Sequence, residues 1–266
     1  MKKRNIYSLL LIVLVIAFWL FENFYVTETF EEKNHVKKLN PKMELLFPSS
    51  TTNVIVEHTY YSLSYSEQYE QAEWVAYEMN KTYLTYDNRK RPHFIEDSMV
   101  STRSADSKNY RGSGFDRGHL CPAGDMRFSE SAYNQTFYTS NISPQEKEFN
   151  AGVWNRLEQK VRYWTKTYNT VYVITGGILQ SGLKAIGSED VAVPRYFYKV
   201  IAKGDVENLE VLAFLLPHED SSFPLKNFLV PVDSLERLTG IDFFEKLPDN
   251  REDRFEKDVI LKGWKF

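Results

Sequence analysis

The chain alternates between stretches with an apolar period of two and stretches with a period near four, and these periods predict its elements. Val54, Val56 and His58 alternate, as do Tyr61, Leu63 and Tyr65, which predicts an early strand or hairpin. Glu73-Trp74-Val75-Ala76-Tyr77 fits a short strand or a turn of helix, and Thr136 to Ser140 is strand-like. Phe149, Val153 and Leu157 recur every fourth residue, a core stripe on a helix that opens at Asn150 and carries Glu158. Thr170 to Thr175 is a β-branched run that predicts a buried strand, with a turn at Gly176-Gly177. Val191 to Ile201 reads as a strand whose Pro194 suggests an edge or a bulge. Leu209 to Leu216 reads as another buried strand, and Val232 to Leu238 as a helix with Pro231 before it and Gly240 after it. Strands and helices mix without regular βα alternation, so the expected class is α+β.

The longest apolar run is different in kind. Lys2, Lys3 and Arg4 precede an uncharged run from Ile6 to Phe21. A helix of that length spans roughly 24 Å, and counting through Val26 covers the hydrocarbon core of a bilayer. A cleavable signal peptide should end in small residues, whereas Trp19 to Tyr25 is bulky. The expectation is a signal anchor in residues 1–26, a stalk in 27–52 and a folded domain in 53–266. The basic start then stays in the cytoplasm and the domain lies outside it, membrane-anchored, or secreted if the segment is cleaved.

Composition narrows the function classes. A net charge of −3 argues against a bulk polyanion binder but leaves room for a local positive cleft. The 17 Tyr, 18 Phe and 5 Trp build cores and can also stack on bases. The single cysteine, Cys121, excludes an intramolecular disulfide and leaves the redox compartment open.

Candidate chemistry gathers between Tyr110 and Arg162. His119 has the side chain whose ordinary pKa suits a general base. Arg117 lies two residues away, on the same side in a strand, where a guanidinium can bind phosphate oxygens. Asp116 faces the other way, as for a structural ion pair. Cys121 shares the histidine's parity, so a Cys–His nucleophile competes with a buried, inert thiol. Asn150 is either a helix cap or an amide oxygen for a hard cation such as Mg²⁺, which takes few protein ligands. Glu158 lies eight residues on, roughly 12 Å along a helix axis, so it reaches such a cation through water or simply pairs with Arg162. Asn141 forms an Asx turn, or orients the histidine or the substrate. Arg91, in the basic turn Asn88 to Pro92, is a solvated loop residue or a phosphate contact.

Three blocks then carry a resemblance: Asp116-Arg117-Gly118-His119, Ser140-Asn141-Ile142-Ser143-Pro144-Gln145, and Phe149-Asn150 followed by Trp154-Asn155-Arg156-Leu157-Glu158. In this order and spacing they resemble the DNA/RNA non-specific endonucleases of the ββα-metal group, the family of endonuclease G. The looser likeness runs from about Tyr60 to Phe244. The resemblance implies a ββα-metal nuclease fold with a mixed or antiparallel central sheet and flanking helices, here behind a transmembrane segment. It implies His119 as general base and Asn150 as protein ligand of one Mg²⁺, with Mn²⁺ as an alternative. It implies Glu158 on metal-bound water, Arg117 at the phosphate, Asn141 lining the site and Arg91 as the upstream arginine of the cleft. DNA and RNA are the implied substrates, cut to leave 5′ phosphates, and a tethered, inactive nucleic-acid receptor for uptake is the competing function. The chain departs from the secreted members in its N-terminal segment and in having no disulfide.

Overall fold

The computed structural model of the protein describes residues 7, 10–17, 44–86 and 88–266. The chain divides into two units, Met1–Glu31 and Glu32–Phe266. In the first, residues 10–17 are helical and exposed. Among the described residues no helix is long and apolar enough to cross a membrane. Most of the expected anchor and the stalk up to residue 43 lie outside the described residues.

The second unit is built on a sheet of seven strands, antiparallel throughout: β1 (Ile55–Glu57), β2 (Tyr61–Ser66), β3 (Gln71–Asn80), β6 (Thr170–Gly177), β9 (Tyr196–Lys203), β10 (Glu210–Pro217) and β11 (Leu229–Val230), in that spatial order. Two small antiparallel pairs complete it, β4 (Asp116–His119) with β5 (Ile142–Gln145) and β7 (Lys184–Ile186) with β8 (Val191–Val193). Its α-helices of four residues or more are α1 (Glu130–Gln135), α2 (Asn155–Tyr168), α3 (Val232–Thr239) and α4 (Asp249–Glu252).

Period-two alternation sorts the central strands onto two cores. Tyr77, Val173, Phe197 and Ile201 face one side, against Leu157, Val161 and Trp164 of α2. Trp74, Tyr172, Ile174, Tyr198 and Val200 face the other, against Val232 and Leu235 of α3 with Phe243 and Phe244. The α+β class expected from the periods is the one observed, and of the mixed or antiparallel sheet that the resemblance implies, the antiparallel form is present.

Several local expectations are corrected. Gly176 and Gly177 do not form a turn but continue β6, paired with Tyr198 and Phe197; glycine is needed at 176 because a Cβ there would fall 2.2 Å from the Glu73 carbonyl. The expected strand from Val191 to Ile201 is two strands, broken at Pro194, which has no N–H for a ladder. Thr136 to Ser140 is no strand: its backbone turns through hydrogen bonds such as Asn141 N to Tyr138 O at 3.0 Å. The end of the expected stalk belongs to the domain. Leu46 and Phe47 are buried on the α3 side, and Thr51 donates its N–H to Glu73 at 2.9 Å.

Candidate active site

β4, β5 and the helical segment after them make a strand–strand–helix unit. β4 and β5 pair in register, Asp116 opposite Gln145 and His119 opposite Ile142. Gly118 is required there, since a Cβ would fall 2.2 Å from the buried Gln145 side chain. The chain then enters Lys147–Phe149, a wide turn Asn150–Trp154 and α2 without leaving helical form, apart from a kink at Gly152. The kink leaves room for Asp220, whose carboxylate accepts from Val153 N at 3.2 Å. Asn150 has helical dihedrals, so it lies within the helical run and not at its N-cap.

Its amide has a specific partner. Asn150 Nδ2 donates to Asp116 Oδ2 at 3.0 Å. Asp116, expected to serve a structural ion pair, instead ties the helix to the strand that carries His119. The sequence showed which face Asp116 takes; its partner, from a segment beyond β5, carried no local signal. With the nitrogen engaged, the amide oxygen of Asn150 points away from Asp116. That oxygen is the donor a hard cation would use, and it fits a site with few protein ligands.

On the other face of β4, three side chains surround the Phe94 ring. The Cζ atoms of Arg91 and Arg117 lie 5.4 and 5.6 Å from its centroid, and the His119 ring 5.6 Å. Phe137 closes the group, 5.0 Å from His119 and 5.5 Å from Arg91. The loop carrying Arg91 and Phe94 is pinned by Ile95 N to Phe137 O at 3.2 Å and Thr139 N to Ile95 O at 2.9 Å. Phe94 and Phe137 were missed by sequence reasoning, because in a loop an aromatic has no periodicity to mark it.

His119 is half-buried, and its Nε2 makes no hydrogen bond with any described group. Burial, and then the Arg91 guanidinium, pull its pKa down to about 3. The imidazole is therefore held in its neutral form at pH 7. Arg117 Nη2 donates to Ser107 O at 2.9 Å, while its buried Nε has no hydrogen-bond partner among the described residues. Arg91 is exposed at the rim.

The remaining candidates divide. Asn141 is wholly buried, and its side-chain amide is bonded to backbone. Its Oδ1 accepts from Cys121 N at 2.8 Å, and its Nδ2 donates to Cys121 O and Thr136 O, both at 2.9 Å. It clamps the chain two residues beyond His119. Cys121 is likewise inaccessible, and burial pushes its thiol well up, which removes the thiolate a nucleophile needs. Glu158 makes the expected pair with Arg162, at 3.4 Å, and Arg162 continues to buried Asp125 at 2.5 Å. Burial raises Glu158 and lowers Lys199, a wholly buried lysine over Trp154 that feels the same cluster.

A family model described as DNA/RNA non-specific endonuclease matches residues 40–250. The chain is 38% identical over 198 residues to the mitochondrial endonuclease G of Bos taurus, covering 69% of this chain and 66% of that one. It is 39% identical over 207 residues to the mitochondrial nuclease EXOG of Danio rerio, covering 71% and 60%. The chain thus spans about two thirds or less of the length of these curated relatives. Among solved structures, a complex of EndoG with EndoGI aligns with a TM-score of 0.72 at 32% identity, covering 79% of this chain and 92% of that one.

Proposed function

The chain belongs to the DNA/RNA non-specific endonuclease family, and from that premise we propose that it is a Mg²⁺-dependent endonuclease hydrolysing phosphodiester bonds in DNA and RNA. The observation that carries this reading is the hydrogen bond from Asn150 to Asp116. It couples a hard oxygen donor to the short strand that bears the unpartnered His119. Asn150 would hold the cation directly and Glu158 through water. When bound, Mg²⁺ would stabilise charge on the phosphate and on the leaving 3′ oxygen.

The protein's own residues supply the rest. Neutral His119 accepts a proton from a water, which attacks phosphorus in line with the 3′ oxygen. The P–O3′ bond breaks and the phosphate stays on the 5′ side. Arg117 and Arg91 bind the phosphate oxygens, and their electrostatic attraction grows as charge develops there. Contacts to backbone phosphates carry no sequence information, so cleavage shows little sequence preference.

The test is incubation of the protein with plasmid and with RNA, in Mg²⁺ and in EDTA. Both substrates should be degraded in Mg²⁺ and spared in EDTA. Full activity in EDTA would exclude the metal mechanism. Binding without cleavage under every metal tried would favour an inactive, tethered receptor.

We also propose that the basic start and uncharged run anchor the protein in a membrane, with the domain outside the cytoplasm. The support is the sequence of residues 1–26 alone, while the relatives carry mitochondrial names. Membrane fractionation and N-terminal sequencing test it. A soluble protein that begins near Thr27 would overturn the anchor.

A further inference from the structure

Far from Asn150 in sequence, a second group of acidic side chains converges. Asp233 and Glu236 stand three residues apart on α3, and so share a face. Glu256 comes from the segment after α4. It is brought there by Asp233 N, which donates to Glu256 O at 3.2 Å, and by Phe255, buried with its ring 5.2 Å from that of Phe244. One carboxylate oxygen from each of Asp233, Glu236 and Glu256 lies within 4.8 Å of the others.

Acidic clusters are common on surfaces, but Glu256 is not on the surface. It is 8% exposed, and its buried Oε1 has no hydrogen-bond partner among the described residues. A buried carboxylate is normally paired, because leaving it bare forfeits its hydration. The neighbours deepen the imbalance, since Asp242 and Glu252 add to the negative potential at Glu256. Against them stand Arg237, 3.9 Å from Asp233 and well exposed, and Lys257, which is 2.8 Å from Asp253. Glu236 gives one oxygen to Phe243 N at 2.9 Å, which fixes the side chain and leaves the other oxygen available.

We propose that Asp233, Glu236 and Glu256 form a second cation site, separate from Asn150, which takes a hard divalent ion of calcium type. The donors are all oxygen, with no imidazole or thiolate, which disfavours zinc and copper. Ca²⁺ accepts irregular sets of carboxylate, carbonyl and water oxygens at about 2.3–2.6 Å. Oxygens across such an ion are up to roughly 5 Å apart, which matches the spacing here. Mg²⁺ asks for a tighter octahedron and keeps its waters. An ion bound here would staple the chain's C-terminal stretch to α3, and would stabilise the folded state by mass action.

The test uses the full chain carrying Asn150→Ala, so that the proposed catalytic ligand is absent, with Ca²⁺ as the only probe. Calorimetric titration should find one saturable site, and Ca²⁺ should raise the thermal midpoint. Glu256→Gln in the same background should weaken binding by roughly tenfold or more, since charge count tunes such sites, and should remove the midpoint shift. Circular dichroism reports whether that variant folds. If it does not, Glu236→Gln and Asp233→Asn take its place and should weaken binding in the same way. Absence of saturable Ca²⁺ binding, or binding untouched by all three substitutions, overturns the proposal. Neither result bears on the nuclease reading, which is measured by Mg²⁺-dependent cleavage with Asn150 intact.

Discussion

Two histidines contact the stretch 94–97 and are built for opposite purposes. His58 is buried, with Nε2 2.8 Å from Asp97 Oδ2. Asp97 is saturated: it also accepts from Ser140 Oγ at 2.5 Å and Met99 N at 3.0 Å, and its own N–H goes to Ser104 Oγ at 2.7 Å. Tyr61 and Tyr138 flank the His58 ring. His119 has aromatic walls too, but its Nε2 is unpartnered and an arginine is the charge beside it. The difference teaches where to look for chemistry. The His58 trio of histidine, aspartate and serine is sealed and satisfied, so it serves as a latch on the loop. The His119 group keeps polar capacity unspent.

The sharpest way to break the comparison is to remove each histidine's contribution in turn. A general base contributes about 10²–10⁴-fold, so His119→Ala should cut turnover by that factor while nucleic-acid binding and the melting midpoint stay near wild type. Cleavage within roughly threefold of wild type, in a folded sample, would make His119 structural. Asp97→Ala should act the other way round, leaving a buried imidazole without its partner. Breaking a buried pair typically costs about 3–5 kcal/mol, readable by urea unfolding at pH 7. A loss below about 1 kcal/mol, the level of an exposed pair, would end the latch reading.

A pH series sharpens the contrast further. His119 has a folded pKa of about 3 against an ordinary 6.5. The folded state therefore resists a proton that the unfolded chain accepts. Its contribution to stability is complete above pH 6.5 and is lost as pH falls from there toward 3. His119→Asn, which does not titrate, should lose less stability than wild type between pH 7 and pH 4.5. Equal losses would mean that the imidazole is not held neutral. The smallest effect is expected at Cys121, where Cys121→Ala should keep most activity. A loss of roughly a thousandfold in a folded variant, the scale of a missing nucleophile or base, would restore the thiol to the mechanism.

Much of this was legible before any coordinates. The strand around Tyr61 and the stripe Phe149–Val153–Leu157 followed from period, since burial of one face imposes it, while the strands around Val171 and Leu212 followed from their apolar runs and the helix before Gly240 from its flanking Pro231 and Gly240. Asn141 stayed open in the sequence because its type and position fit an Asx turn and a site residue equally well. Only the backbone that folds around it shows that its three hydrogen bonds are taken. Thr136 to Ser140 misled because β-branched and aromatic residues also line tight turns, where packing overrides local preference.

The sequence by itself determined much that is local: most of the main strands and helices, which face their side chains take, and the blocks that mark the family. Periodicity and spacing are read along the chain, so they were available without the fold. The tertiary structure decided what meets across distance. It set Arg91 and Phe94 beside His119, gave Asn150 the carboxylate of Asp116, and brought Glu256 to Asp233 and Glu236. These meetings depend on how loops close and sheets stack. They fix burial and the supply of hydrogen-bond partners, and so they separate a spent polar group from one still free to act.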